Sequence, residues 1–401
     1  MSTATPPVSS KLFGLFCLAS YLLSLSYGST FLLSLLIGSR GGNEHDAGSV
    51  ISAAMLSTFA AVIASGHLSD LLGAARSVAL FGLLLVVASL GFALTPGLGH
   101  LLLFFGLLLG LGWGVFYTLG PIIVASLVTP VQRAKYFALL SGSMMTGIGS
   151  GPLLGRVASA LGFPVTAAFY LAALASLIGV LLLWQLDRHL KNASLESTAV
   201  SRISWRATAQ VLSSRAVFPI IMVGLGGCVF GGLSSFQTSY AAARSLDYSL
   251  FFLGFMGAAI SSRMLIAGFV VKRDPLRASC LLSGLMLGSI LLFGFVVDDG
   301  LSYVVAAAML GVGYGLTYSV INGLAANEAP TGTTAQSLLL FSLSYFIGVF
   351  GFPLLAGKII VEQGMANLLL TVIAIALLTW LITLGRLIWR HVCSTQAMQR
   401  V

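Results

Sequence analysis

Gly110-Leu-Gly112-Trp-Gly114-Val-Phe-Tyr117 returns 201 residues later as Gly311-Val-Gly313-Tyr-Gly315-Leu-Thr-Tyr318, in a chain of 401 residues. Each copy lies inside a long apolar run, and each is followed at similar distance by a proline, Pro130 and Pro330. Farther on, Gly147 and Pro152 have counterparts at the same offset, Gly348 and Pro353. Glycine-rich apolar text can match itself by chance, and the chain holds 46 glycines. Several landmarks in one register nevertheless read as a duplication, two similar halves in tandem.

The composition says where such halves reside. Hydrophobic residues make up 58% and charged residues 8%, against roughly 25% charged in an average soluble domain. With a mean hydropathy of +1.02, the chain reads as an integral membrane protein. A hydrocarbon core of ~30 Å takes about 20 mostly apolar residues as helix. Windows of that length place spans at 12–37, 49–68, 77–95, 101–126, 137–161, 164–185, 216–242, 250–271, 278–297, 301–323, 337–357 and 366–388. The expected fold is therefore all-α, twelve membrane helices in two pseudo-symmetric bundles of six. The expected domains are a bundle over 1–185, a linker over 186–215, a second bundle over 216–388 and a tail over 389–401.

Charge placement orients the chain. With both termini inside, fifteen basic residues fall on cytoplasmic segments: Lys11, Arg76, Arg133, Lys135, Arg188, Lys191, Arg202, Arg206, Arg215, Lys272, Arg273, Arg277, Arg386, Arg390 and Arg400. Only Arg40, Arg156, Arg244 and Lys358 fall outside, and Arg263 alone lies within a span. This positive-inside bias accounts for the formal charge of +9 as topology and contact with anionic lipid, not as nucleic-acid binding. The four cysteines are far apart and suggest neither a disulfide framework nor a zinc site. No cofactor is expected, and a monomer in a bacterial inner membrane is. Within the linker, Trp205 to Leu212 has the pattern of a short amphipathic helix on the membrane surface. Gly41 to Gly48 reads as a solvated outer loop.

Between the second and third spans stands Gly66-His-Leu-Ser-Asp70-Leu-Leu-Gly73-Ala-Ala-Arg76. A carboxylate near a helix start gains from the dipole, and glycines permit the tight turn. Such a charge can lock neighbouring helix ends and release them when the halves rock. The stretch resembles the loop signature of the major facilitator superfamily, with Gly66, Leu68, Asp70, Gly73 and Arg76 matching. Leu71 replaces the family's arginine after the aspartate. The second-half counterpart, Gly268 to Arg277, is degraded, with Lys272 at the aspartate position and Pro275 at the glycine. Gly147, Gly151, Pro152 and Gly155 in the fifth span resemble the motif associated with exporters of the drug–proton antiporter type, although Arg156 replaces the final glycine. Proline bends a helix and glycine admits a close neighbour, so the motif reads either as a hinge of the outer gate or as a kinked packing helix without directional meaning. The resemblance implies alternating access by rocking of two bundles around a shared cavity.

Candidate substrate groups follow from polarity in the spans. Arg263 lies eight residues before Val271, about 12 Å from the cytoplasmic boundary at 1.5 Å per residue. An arginine there costs at least ~2.5 kcal/mol unless it faces a cavity or partner. It reads as a hook for a carboxylate, bidentate through the guanidinium, or as a structural arginine on backbone carbonyls. Tyr27, Ser29 and Thr30 parallel Ser234, Ser235 and Gln237, and Tyr117 pairs by repeat with Tyr318. Of these, Tyr27, Tyr117, Gln237 and Tyr318 are the substrate candidates beside Arg263; individual hydroxyls more often bond between helices. No Asp or Glu lies in the middle of a span, which leaves coupling by a buried carboxylate unsupported. A proton carried by the substrate, or by a rim group such as Asp70 or Glu328, and plain uniport stay open. The seventh span and the Arg263 region also resemble family members that export opine metallophores and siderophores. The expectation is an exporter of a small organic molecule; an importer of an organic anion, or a non-transporting sensor or enzyme on this fold, are the alternatives.

Overall fold

The computed structural model describes residues 10–128, 133–192, 204–265 and 274–398. Pro130, the linker run after Asn192, Arg202 and the second-half loop from Gly268 to Lys272 lie outside them. Among the described residues every regular element is helical. Eleven helices are long and apolar enough to cross a membrane, and the shorter apolar helix Ser249–Leu265 falls at the eighth expected span.

The spans are labelled α1 to α12. In the first unit, α1 runs Ser10–Ser29, tightens into a 3₁₀ turn at Thr30–Leu32 and resumes as Leu33–Gly38. Then follow α2 (Glu44–Leu72), α3 (Ala74–Leu94), α4 (His100–Leu127), α5 (Arg133–Ala160) and α6 (Thr166–Asn192). In the second, α7 runs Val217–Ser235 and, past a break at Phe236, Gln237–Ala242. Then follow α8 (Ser249–Leu265), α9 (Pro275–Phe295) and α10 (Gly300–Asn327). α11 is Thr334–Phe346, a π turn at Ile347–Gly351 and Phe352–Gln363, and α12 is Met365–Met398. The compact units are 1–202 and 203–401.

Helices run past the expected spans at polar ends. The segment read as a solvated outer loop instead caps α2: Asn43 accepts from the Asp46 N–H at 3.1 Å, and Asp46 accepts from the Asn43 N–H at 2.9 Å. This box satisfies amides that a helix start leaves orphaned. Asp299 caps α10 the same way with Ser302.

Both units repeat one packing scheme. α1 packs on α5 and α6, α2 on α4, and α3 on α4 and α6; α7 packs on α11 and α12, α8 on α10, and α9 on α10 and α12. The recurring glycines explain the closeness. A Cβ on Gly110 would overlap the Ala54 carbonyl of α2, and one on Gly311 would overlap the Phe255 carbonyl of α8. The middle glycine points elsewhere: Gly112 meets Phe81 and Leu85 of α3, and Gly313 meets Leu282 and Met286 of α9. Alternate glycines of one motif thus seat two neighbours at backbone distance, the device helices need in lipid.

Candidate functional site

The residue before the third glycine of each motif is aromatic, Trp113 and Tyr314. Trp113 turns toward α1 and stacks on Tyr27, ring centroids 4.6 Å apart, and Tyr117 lies 6.3 Å beyond Trp113. In the second unit Tyr314 stacks on Phe230 of α7 at 5.2 Å. Tyr318 packs edge-on against Phe341 and Tyr345 of α11 at 5.4 and 5.5 Å. Tyr27 is buried, while Tyr117 and Tyr318 are half-buried at matching positions. Sequence reasoning passed over Trp113, Tyr314 and Tyr345. The first two occupy the variable position inside each glycine motif, a signal that was there; Tyr345 corresponds by repeat to Met144 and carried none.

Arg263 reaches across from α8 to α10. Its Nε and Nη2 donate to the Gly315 carbonyl at 3.4 and 3.3 Å, longer than the usual 2.7–3.2 Å range for N–H···O bonds. The same carbonyl accepts from the Ser319 hydroxyl at 3.3 Å. Gly315 makes room for this approach: Ala259 and the Arg263 Nε are what a side chain there would meet. Tyr345 lies within electrostatic reach of the guanidinium. Arg263, Tyr314, Tyr318 and Tyr345 therefore form one polar aromatic cluster within the second unit.

Gln237 does not join it. Its carboxamide is fully buried and its Oε1 accepts from the Tyr303 hydroxyl at 2.6 Å. Tyr303 precedes Tyr318 by 15 residues on α10, about 22 Å along a helix. Tyr240 stacks on Tyr303 at 5.8 Å and donates to the Phe293 carbonyl at 2.8 Å. In the first unit, the hydroxyls of Ser29 and Thr30 bond back to the carbonyls of Ser26 and Tyr27 on their own helix.

The candidate gating residues fall in two places. Gly73 separates α2 from α3 at φ 85°, a left-handed conformation that favours glycine. Asp70 and Arg76 are exposed on either side of it, and Gly66 is buried one turn earlier. The Ser77 hydroxyl bonds to the carbonyls of both Leu68 and Gly73, tightening the turn. Gly147, Gly151 and Gly155 form the seam of α5 on α1, against Tyr21, Gly28 and Leu32. Pro152 removes the amide that would bond the Ile148 carbonyl, and Gly28 lies directly over that carbonyl. The second unit repeats this: Pro353 frees the Val349 carbonyl and Gly231 lies over it. α5 nonetheless runs as one continuous helix through Pro152, whereas α11 absorbs its proline with the π turn. At the end of α10, Glu328 pairs with Arg386 of α12, whose guanidinium also lies 4.9 Å over the Phe218 ring. Among the described residues no group of His, Cys, Asp and Glu is arranged to hold a metal ion.

The family model of the Major Facilitator Superfamily matches residues 13–353. The chain belongs to that superfamily. This member is a multi-pass integral membrane transporter of the major facilitator fold. Its fold is similar to the human organic anion transporter MFSD10, 16% identical, with a TM-score of 0.69 over 94% of this chain and 100% of that one. A peptide transporter of the POT type is 18% identical, with a TM-score of 0.74 over 94% and 93% of the two chains. The nucleoside transporter NupG is 14% identical, with a TM-score of 0.72 over 93% and 99%. No curated protein sequence matches this chain.

Proposed function

We propose that this superfamily member exports a small carboxylate-bearing organic molecule, of the metallophore or siderophore kind, across a bacterial inner membrane by alternating access. The observation that carries the reading is Arg263, a half-buried guanidinium that makes long bonds to a backbone carbonyl and is set among Tyr314, Tyr318 and Tyr345. A carboxylate would offer shorter, charge-assisted bonds than that carbonyl does, and tyrosine faces and hydroxyls suit an amphipathic organic body. Proteins of similar fold include an organic anion, a peptide and a nucleoside transporter, which agrees with a small organic cargo. Export rests on the resemblance of Gly147 to Gly155 to the drug–proton antiporter motif. Substrate contacts are assigned to Arg263, Tyr27, Tyr117, Gln237 and Tyr318, with the Gln237 Oε1 also accepting from Tyr303.

The test is uptake of labelled carboxylate metabolites into inverted vesicles. Accumulation by the native chain and its loss in Arg263→Gln, with folded yield unchanged, is the expected result. Accumulation in right-side-out vesicles alone would replace export by import. Unchanged transport in Arg263→Gln would remove the carboxylate from the reading.

A further inference from the structure

The helix Trp205–Leu212 plays no part in the site above, yet it is strongly two-faced. Its inner face is fixed to α11. Val211 is fully buried, the Gln336 Oε1 accepts from the Ser204 N–H at 3.1 Å, and the Gln336 Nε2 donates to the Thr208 hydroxyl at 3.1 Å. The outer face carries Trp205, Ala209 and Leu212, one stripe at i, i+4 and i+7. All three are exposed, Trp205 to 85%. Arg206 and Arg215 flank the stripe and are exposed as well. Directly after it the chain enters α7, on which Phe218 and Ile221 are also exposed. This helix is thus pinned on one side, carries exposed apolar and basic residues away from α11, and is followed at Val217 by a membrane span.

We propose that this helix is a binding site for anionic phospholipid. Trp205 and Leu212 insert at the acyl boundary, and Arg206 and Arg215 hold headgroup phosphates. Indole prefers that boundary because its body is apolar and its N–H seeks a wet partner. Guanidinium suits phosphate because its planar fork donates two parallel bonds. The bilayer is favoured over a soluble partner because the helix ends at Leu212 and a membrane span starts at Val217, and because its exposed residues pair apolar side chains with arginines. The lipid would thereby grip the start of α7 and, through Gln336, the start of α11.

The experiment uses the full chain in nanodiscs of phosphatidylcholine with and without phosphatidylglycerol. Native mass spectrometry counts retained phosphatidylglycerol, and bromine-labelled lipid quenches tryptophans at the acyl boundary. Replacing Arg206 and Arg215 together by Gln should reduce phosphatidylglycerol affinity by about fivefold for each arginine, while replacement by Lys should retain most of it. Trp205→Tyr should remove a bromolipid-quenched component of the emission. Folding is read independently from thermal unfolding of each variant. Unchanged lipid retention in the folded Gln variant, or a Trp205 component that bromolipid does not reach, overturns the proposal. So does a crosslinked second copy covering the stripe.

Discussion

Val62 and Arg263 occupy equivalent places in the two units, 201 residues apart, on helices that pack against the same glycine ladder. In the first unit the position is a buried valine, and the helix pair is joined by Thr58, whose hydroxyl donates to the Gly110 carbonyl at 3.0 Å. In the second, Ala259 replaces that threonine and Arg263 spans to the Gly315 carbonyl. The backbone scheme is shared and the chemistry is not. The valine of the first unit shows that a helix pair seated on such glycines packs without a cation at this position. The departure from the repeat is therefore where recognition is sought.

The strongest challenge to the shared scheme is at Gly28 and Gly231. Each lies over the carbonyl that a proline has freed, and any side chain would enter that backbone atom. Overpacking against movable side chains costs about 1–3 kcal/mol, and here the obstacle is backbone. Gly28→Val and Gly231→Val should both abolish monodisperse folded protein in size-exclusion profiles. If one is tolerated, the two units do not share this seam in energy, whatever their geometry.

Next in size is an exchange across the repeat. Val62→Arg places a guanidinium without the tyrosines that surround Arg263, and should destabilise by at least ~2.5 kcal/mol, read as a lowered unfolding midpoint. Arg263→Val restores the symmetric residue and should leave that midpoint close to native. It should also lose carboxylate transport about tenfold or more, as expected for a charge-assisted bond of about 1.5–3 kcal/mol. A large drop in stability with Arg263→Val would instead make the arginine a structural brace.

Much of the fold was legible because its causes are local. Runs of about twenty apolar residues give the spans, and Gly110-x-Gly112-x-Gly114 with its copy gives the duplication. The ends were less so. Polar stretches such as Asp187–Asn192 remain helical outside the apolar run, and the capping box of Asn43 and Asp46 turns apparent loop into helix start. At the site, Tyr117 and Tyr318 were visible through the repeat. The partner of the Gln237 Oε1, Tyr303, is 66 residues away, and polarity alone does not name it. The Arg263 bond to Gly315 joins a side chain to a backbone atom across two helices, which no residue pattern encodes.

A smaller effect concerns the inner end of the second unit, where Asp274 caps α9 and pairs with Arg390. Burial raises its carboxyl, but the hydrogen bond from Arg390, the N–H groups of Arg277 and Leu276 and the Arg390 charge together hold it below its ordinary value of 3.8. A depressed folded pKa means the contribution is complete above that ordinary value and disappears as pH falls through the folded one. Asp274→Asn keeps the cap but should flatten this acid-range loss in unfolding midpoints measured against pH. Asp274→Ala should cost about 1 kcal/mol at neutral pH, the usual value of an N-cap. The equivalent turn of the first unit is built on Gly73 with the Ser77 hydroxyl and has no side-chain cap on α3.

The smallest expected effect tests the other half of the opening contrast. Thr58 is buried and joins α2 to α4 through one hydroxyl. Thr58→Val keeps its shape and removes that bond. In lipid such interhelical bonds average about 0.6 kcal/mol, because helices separated in the membrane find other partners. The unfolding midpoint should therefore fall slightly and transport should hold. Ala259→Thr offers the reverse operation, placing the first unit's hydroxyl beside Arg263, where the Gly315 carbonyl already accepts from two side chains. A third donor there would compete with the guanidinium. Transport should rise if that carbonyl restrains Arg263 from its substrate, and fall if it positions the arginine for it, so the direction of this small change tells which role the backbone plays.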